Sequence, residues 1–425
     1  MLPIYSDLLK MWSDLGYDLP IKEGKYWLEN NFIQAFTRDG TLRKLYKYKV
    51  FDDLHIEITP YSNKIKFCED DFETWEETIK RNSERLSALE NESLELIRRV
   101  LNDYSDYDKY ILTSTGKDSM VTLDLVHRIN PDIPVVFNNT SLDCADTYRM
   151  VKAHKDWIIT NPKEGFYQWI KRMNFVPTRF SRACCTIFKE GQGDAYFKQK
   201  GADKLIQFMG VRNDESANRA DRQDITQSPK WNNENWYGCL PIRKYTDFDV
   251  WLYILKYGIE INPKYRKGYS RCGCAMACPY STKYTWVLDK YWYNTMYNRW
   301  RKILGDFFKS TSAWCQKNCT LNEFVNKEWG SGMSRSEPTE EVINEFMKYK
   351  GITDRNVALQ YFNKTCCTCG KNVRQNDVLA MNLKMNGRNT NKIYCKKCLM
   401  KELRMSKEEW DNNVSDFKAQ GCVLF

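Results

Sequence analysis

Residues 110–123 read Tyr110-Ile111-Leu112-Thr113-Ser114-Thr115-Gly116-Lys117-Asp118-Ser119-Met120-Val121-Thr122-Leu123. Tyr110, Ile111 and Leu112 form an apolar run of the kind that becomes a buried strand. Met120, Val121, Leu123, Leu125 and Val126 then follow helical spacing. Strand, short loop and helix in this order aim several backbone N–H groups and a helix N-terminus at one point, an arrangement that accepts phosphate. Gly116 is expected to allow a turn that a side chain would obstruct. Lys117 adds a point charge, Ser114 and Ser119 offer hydroxyls, and Asp118 is placed to hold a metal ion or a ribose hydroxyl. The plainer reading is a capped helix after an ordinary α/β turn. The spacing matches neither G-x-x-x-x-G-K-[ST] nor G-x-G-x-x-G.

Working outward, strand-like runs recur at Pro134–Phe137, Trp157–Ile159 and Leu205–Met209, with helical patterns between them. Repeated β-α units of this kind predict an α/β fold built on a doubly wound parallel sheet. Before the loop, residues 71–104 carry Leu86, Leu89, Leu94, Ile97 and Val100 near a 3.6-residue period, a long charged helix. Four segments are expected: an α+β extension over 1–75, a catalytic domain over 76–285, a helical segment over 286–350 and a cysteine-rich module over 351–425.

The chain has 425 residues and a net charge of +10, which favours an anionic partner such as a nucleotide or nucleic acid without choosing between them. The first residues lack a basic stretch followed by an apolar one, and no apolar run reaches about 18 residues, so neither a signal peptide nor a membrane span is expected. With 16 cysteines and no secretion signal, a cytoplasmic protein with thiols serving as metal ligands is expected.

Further motifs follow the loop in order. Asn139-Thr140-Ser141-Leu142-Asp143 ends the second strand, where Asp143 either binds substrate or caps the next helix. Arg182-Ala183-Cys184-Cys185 comes next, then Gly210-Val211-Arg212-Asn213-Asp214-Glu215-Ser216 with Arg219. The last runs from Pro241-Ile242 through Asp249-Val250-Trp251-Leu252-Tyr253-Ile254 to Gly268-Tyr269-Ser270-Arg271-Cys272-Gly273-Cys274 and Cys278-Pro279. Arg212 and Arg219 can contact phosphate or sulfate oxygens bidentately, with Glu215 orienting them. Asp249, Trp251 and Tyr253 read as helix packing.

The loop resembles the S-x-G-x-D-S signature of the PP-loop pyrophosphatases. The whole block from about Asn82 to Tyr284 resembles the phosphoadenosine phosphosulfate (PAPS) reductase family. This implies an adenine nucleotide α-hydrolase-like fold, ATP with Mg²⁺ as cofactor, and a site in which Ser114, Thr115, Gly116, Lys117, Ser119, Asp143, Arg212 and Glu215 bind nucleotide. Lys117, Asp118, Arg212 and Arg219 would act in catalysis. The intact loop is closer in style to the ATP-splitting members, the small subunit of ATP sulfurylase and the Dnd-type phosphorothioation subunit. The reductases' C-terminal E-C-G-[IL]-H motif has no counterpart. The tandem Cys184-Cys185 with Cys272, Cys274 and Cys278 resembles the ligand set of a 4Fe-4S cluster, with either Cys184 or Cys185 contributing, although the usual C-x-x-C-P is one residue longer here.

Cys366-x-x-Cys369 and Cys395-x-x-Cys398 flank residues 370–394 and have the spacing of a zinc ribbon. The module is basic, so docking of nucleic acid or a partner protein subunit is one expectation and a purely structural tail the other. Residues 283–309 interleave aromatic and basic residues, which either stack on nucleic acid or pack inward as amphipathic helices. The reading this supports is an enzyme that adenylates an acceptor with pyrophosphate release, followed by sulfur transfer, with nucleic acid among the expected acceptors. The alternatives are an oxidoreductase forming sulfite from adenylated sulfate, and a nucleotide-sensing or DNA-binding subunit without turnover.

Overall fold

The computed structural model describes the chain except for residues 52, 63–68, 179–182, 216–221, 228–232, 312–315, 318, 327, 332–339, 351, 363, 374, 388–391, 420, 421, 423 and 425. Two compact units form. The first comprises Met1–Asn161, Gln192–Cys274 and Lys290–Tyr293, the second Pro162–Gly191, Ala275–Asp289 and Asn294–Phe425. The expected extension lies in the first unit and the expected cysteine-rich module in the second.

The first unit holds two sheets. Strands β1 (Leu2–Pro3), β2 (Tyr26–Glu29), β3 (Phe32–Phe36), β4 (Leu42–Val50) and β5 (Ile56–Pro60) form an antiparallel meander in that order. Its helices are α1 (Ser6–Asp14) and α2 (Trp75–Arg81), the latter opened by a Thr74–Glu77 capping box. The long helix expected before the loop is α3 (Ser83–Asp103), with Leu86, Leu94, Ile97 and Val100 buried along one stripe.

The second sheet comprises β6 (Asp108–Thr113), β7 (Val135–Asn138), β8 (Ile158–Thr160), β9 (Leu205–Met209), β10 (Ile225–Thr226) and β11 (Trp236–Cys239), ordered β10-β11-β9-β6-β7-β8. All neighbours are parallel except β10, which pairs antiparallel with β11. The fold is therefore α/β as expected, but the sheet is mixed at one edge, where the short β10 covers β11. Tyr110, Ile111, Val136, Ile206 and Phe208 are fully buried, as strands covered on both faces require. Helices α4 (Lys117–His127), α5 (Ala145–Ala153), α6 (Gln192–Gln199), α7 (Asp247–Tyr257) and α8 (Pro263–Arg266) complete this part. The chain runs from β6 outward to β7 and β8, then returns to β9 and β11 on the other side. The loops after β6 and β9 thus diverge at a topological switch point, the place where open sheets of this type bind ligands.

The second unit is largely helical among its described residues. Its helix Asn294–Phe308 buries Trp300, whose ring meets Trp329 edge-on at 5.3 Å. Trp286, in the preceding helix Lys283–Trp292, is also buried, so these aromatics pack inward. The C-terminal module packs Val378, Leu379, Met381, Ile393, Leu399 and Trp410 into its own core. Among its described residues no β-ribbon forms: one knuckle closes on a single bridge between Thr365 and Asn372, and the other opens the helix Lys396–Glu402. The helix Asn376–Asn386 lies between them. The spacing that predicts knuckles says nothing of what joins them, and Val378, Leu379 and Met381 make that connection helical.

Candidate nucleotide site

The loop after β6 is shaped by its own hydroxyls. The Thr115 amide donates to Thr113 Oγ1 at 3.1 Å, and the Ser114 amide to Ser119 Oγ at 3.2 Å. Ser119 Oγ in turn donates to the Gly116 carbonyl at 2.9 Å. Ser119 is buried and structural, whereas Ser114 is exposed. The left-handed residue of the turn is Thr115 (φ 57°), not Gly116 (φ −72°, ψ 148°). A β-branched residue in this region costs on the order of 1–3 kcal/mol. The fully buried Asn262 holds it there, its Nδ2 donating to Thr115 Oγ1 and to Thr147 Oγ1 at 2.8 Å each. Gly116 answers a spatial need instead, since a Cβ there would stand 3.1 Å from Ser114 Oγ.

Gly210, just past β9, makes the tightest approach. A Cβ on it would fall 2.5 Å from the Asp118 carbonyl carbon and 2.6 Å from both the Asp118 oxygen and the Ser119 nitrogen. The backbone after β9 therefore lies directly on the first turn of α4, bringing the next residues to Asp118.

Lys117 and Arg212 are both buried and both held by carboxylates. Lys117 Nζ is 2.8 Å from Asp118 Oδ2 and 3.0 Å from Asp247 Oδ1. The Arg212 guanidinium reaches Asp118, Asp214 and, at 3.1 Å, Asp247. Burial works against the Arg212 charge, but Asp118, Asp247 and Asp214 outweigh it and raise its pKa further. Burial likewise opposes the Asp247 charge, and the Lys117 ammonium overrides it to hold that carboxyl below its usual value. Glu215 accepts the Arg212 backbone N–H at 3.2 Å, and the guanidinium donates to Asp118, Asp214 and Asp247. Arg219 and Ser216 lie outside the described residues.

Asp143 accepts from Thr140 Oγ1 at 2.7 Å; the cap position of α5 belongs to Cys144. Asp249 closes a capping box with Thr246 at the start of α7 and pairs with Arg85, while Trp251 and Tyr253 are buried, all packing roles as expected. The sequence motifs assigned no site role to Asp214, Asp247, Asn262 or Tyr265, although all four lie in segments they singled out. Tyr265 is buried, and its hydroxyl accepts the Lys117 amide at 2.9 Å. An acidic residue one position into a capped helix was the available signal for Asp247.

The thiols divide between the units. Cys272 and Cys274 lie in the first, and Cys184, Cys185 and Cys278 in the second. Burial pushes the Cys272 thiol up to about 12 despite the nearby Lys264. Within neither unit do the described members of this set gather three ligand atoms around one point. Cys366, Cys369, Cys395 and Cys398 do, with all four sulfurs within 4.8 Å of one another. Cys369 and Cys395 are 3.7 Å apart, against about 3.8 Å for sulfurs on a tetrahedron of 2.3 Å Zn–S bonds. Burial opposes the Cys366 thiolate, but backbone N–H groups of Cys395, Cys369 and Thr368 bring its pKa down to about 6. Cys398, donating among the sulfurs of Cys395, Cys366 and Cys369, rises to about 12. The quartet fits a tetrahedral ion.

Fold and loop together define an α/β domain with a candidate phosphate site at the switch point of its sheet. Residues 109–279 match the phosphoadenosine phosphosulfate reductase domain, so this part of the chain is similar to that family. Two uncharacterized proteins of Methanocaldococcus jannaschii are each 28% identical, over 52% and 56% of this chain. The matched regions span 46% and 57% of those proteins, so the chain covers about half the length of these relatives. An adenosine 5'-phosphosulfate reductase of Bacillus mycoides is 27% identical over 48% of this chain and 86% of its own length. Among solved structures, a PAPS reductase from Candida auris aligns at TM-score 0.35 and 17% identity over 49% of this chain and 97% of that one. The U34-tRNA thiolase NcsA from Methanococcus maripaludis, with its 4Fe-4S cluster, aligns at TM-score 0.31 and 16% identity over 51% and 75%. No helix among the described residues is long and apolar enough to cross a membrane.

Proposed function

We propose that the first unit binds ATP with Mg²⁺ at the loop 114–119 and adenylates an acceptor, releasing pyrophosphate, as the activating half of a sulfur-transfer reaction. The observation that carries this reading is the convergence of Lys117, Asp118, Arg212 and Asp247 at the N-terminus of α4, at the sheet's switch point. Asp118 and Asp247 are the groups to hold Mg²⁺, which binds through one or two carboxylates plus phosphate oxygens. When they do so, Lys117 and Arg212 exchange carboxylate for phosphate, keeping each buried cation paired. Mg²⁺ supplies neutralisation of the polyphosphate. The N-terminal amides of α4 and the two cations stabilise charge as the α–β bond of ATP breaks.

Cys184, Cys185, Cys272, Cys274 and Cys278 are proposed cluster ligands by resemblance alone. The C-terminal quartet is proposed to hold structural Zn²⁺. A second reading, reduction of adenylated sulfate to sulfite, draws on the adenosine 5'-phosphosulfate reductase relatives. Incubation of the purified chain with ATP, Mg²⁺ and candidate acceptors separates the two. Pyrophosphate release supports adenylation; sulfite formed from adenylated sulfate and a thiol donor, without pyrophosphate release from ATP, replaces it with the second reading.

A further inference from the structure

The antiparallel sheet has two unlike faces. On one, Tyr48 and Ile58, directly opposite each other, are buried together with Leu45, whereas Trp27 and Phe36, which meet the Phe248 ring at 5.3 and 5.5 Å next to Asp247, share the face of Phe32 and close that face at its β2–β3 end. The β2–β3 end of the sheet is thereby fastened to α7, which carries part of the candidate site, and the β4–β5 end of the Phe32 face is left open. On the other, pairing sets Phe32, Lys47 and Thr59 side by side, with Lys49 opposite Glu57 in the following row. A register shift at Ile33/Gln34 skips Leu45, and a bulge of this kind re-aims its neighbours. Lys44 Nζ lies 4.0 Å from the Phe32 ring and 5.6 Å from that of Tyr61, which meets Phe32 edge-on at 5.4 Å. Lys49 Nζ stands 4.5 Å from the Phe51 ring. Tyr61 is 50% exposed. Lys44, Lys47 and Lys49 are exposed, and among the described residues none pairs with a carboxylate.

Three unneutralised cations set among accessible rings meet the two needs of a single strand of nucleic acid: charge for its phosphates and flat faces for its unstacked bases. An acidic protein segment would use the charge and leave the rings without a role. We propose that the outer face of β3–β5 binds single-stranded nucleic acid, with Lys44, Lys47 and Lys49 on phosphates and Tyr61 and Phe32 against bases. Lys44 exchanges its ring contact for a phosphate as a base arrives. This names the acceptor class of the reaction proposed above and rests on that reading for its chemistry alone, since binding is measurable without ATP.

The test is fluorescence anisotropy of the full chain with labelled 12-nucleotide RNA and DNA, titrated with salt, and with polyglutamate as competitor. The triple variant K44Q/K47Q/K49Q should bind at least about tenfold more weakly and lower the log–log salt slope by about 2, at roughly 0.7 per lost phosphate contact. Y61A should weaken binding about 5- to 100-fold, and Y61F should restore it. K396Q/K397Q, on the C-terminal module, should bind as the native chain does. Undiminished affinity and slope in the triple variant, loss of binding in K396Q/K397Q instead, or equal competition by polyglutamate overturns the proposal. Whether RNA or DNA binds tighter identifies the strand. Pyrophosphate release in the triple variant, unchanged with a small acceptor, keeps this outcome separate from that of the adenylation reading.

Discussion

Gly210→Ala probes the contact on which the proposed nucleotide site depends. The glycine's φ lies outside the left-handed region, so alanine meets no intrinsic backbone penalty there. Its cost is purely spatial. The new Cβ would stand 2.5 Å from the Asp118 carbonyl carbon and 2.6 Å from Ser119 N, where ordinary contact begins near 3.4 Å. Both obstructing groups are backbone, so β9 and the first turn of α4 must part by about 1 Å, with overpacking of this kind costing roughly 1–3 kcal/mol. In a domain of this size the loss lowers Tm by about 2–12 °C. Function should suffer more than stability, because a shift of about 1 Å in Asp118 relative to Arg212 is enough to cost on the order of 100-fold in rate. Differential scanning fluorimetry and a pyrophosphate-release assay with ATP·Mg²⁺ give the two readouts. Gly305→Ala is the matched control: it lies inside the helix Asn294–Phe308 with nothing nearer than Leu321 Cδ1 at 4.0 Å, so it should stabilise by about 0.5–1 kcal/mol. A G210A protein with native Tm and activity within threefold of native would refute the claim that this close approach sets the site.

Lys117→Gln removes the charge facing Asp118 and Asp247, and pyrophosphate release should fall by roughly 100- to 1000-fold, as for loss of a preorganised electrostatic contact; activity near native would show that the lysine is only a structural partner. Asp249→Asn tests pH linkage. Burial opposes the Asp249 charge, but hydrogen bonds from Arg85 and Thr246 outweigh it and hold the carboxyl below 3.8. Its contribution is therefore complete above that value and lost as pH falls through the folded pKa. The stability gap between native and D249N chains, of roughly 1–3 kcal/mol from cap and pair, should be full at pH 6 and shrink below about pH 4; a gap that widens in acid would contradict the assignment. For the C-terminal quartet, metal analysis should find one zinc per chain there. Cys366→Ser with Cys395→Ser should release it and expose Trp410 to quenching, whereas native zinc content in that double variant would move the ion elsewhere.

Much of the architecture was legible because it rests on local periodicity. The run Leu205–Met209 became β9 at the expected residues, and Tyr110–Thr113 with Met120–Val126 became strand and helix around the loop. Asp249, Trp251 and Tyr253 could be assigned to packing because a capping box and an apolar helix are both written over a few consecutive residues. The site was legible only in part. Lys117, Asp118 and Arg212 were singled out, yet Ser119 proved to be a strut of the loop and Glu215 a partner of the Arg212 backbone. A side chain at Gly116 would meet Ser114 Oγ as expected, but the left-handed residue of the turn is Thr115, whose hydroxyl is gripped by Asn262 from far along the chain.

The sequence by itself determined the α/β class, the loop and its order among the motifs, and the spacing of the four C-terminal thiols, since each is a property of neighbouring residues. Tertiary structure alone decided that Lys117 and Arg212 share Asp247, that Gly210 lies against α4, and that lysines of β4 meet the rings of Phe32 and Tyr61. These contacts join residues distant along the chain, and strand order and register, not local pattern, choose which of them meet.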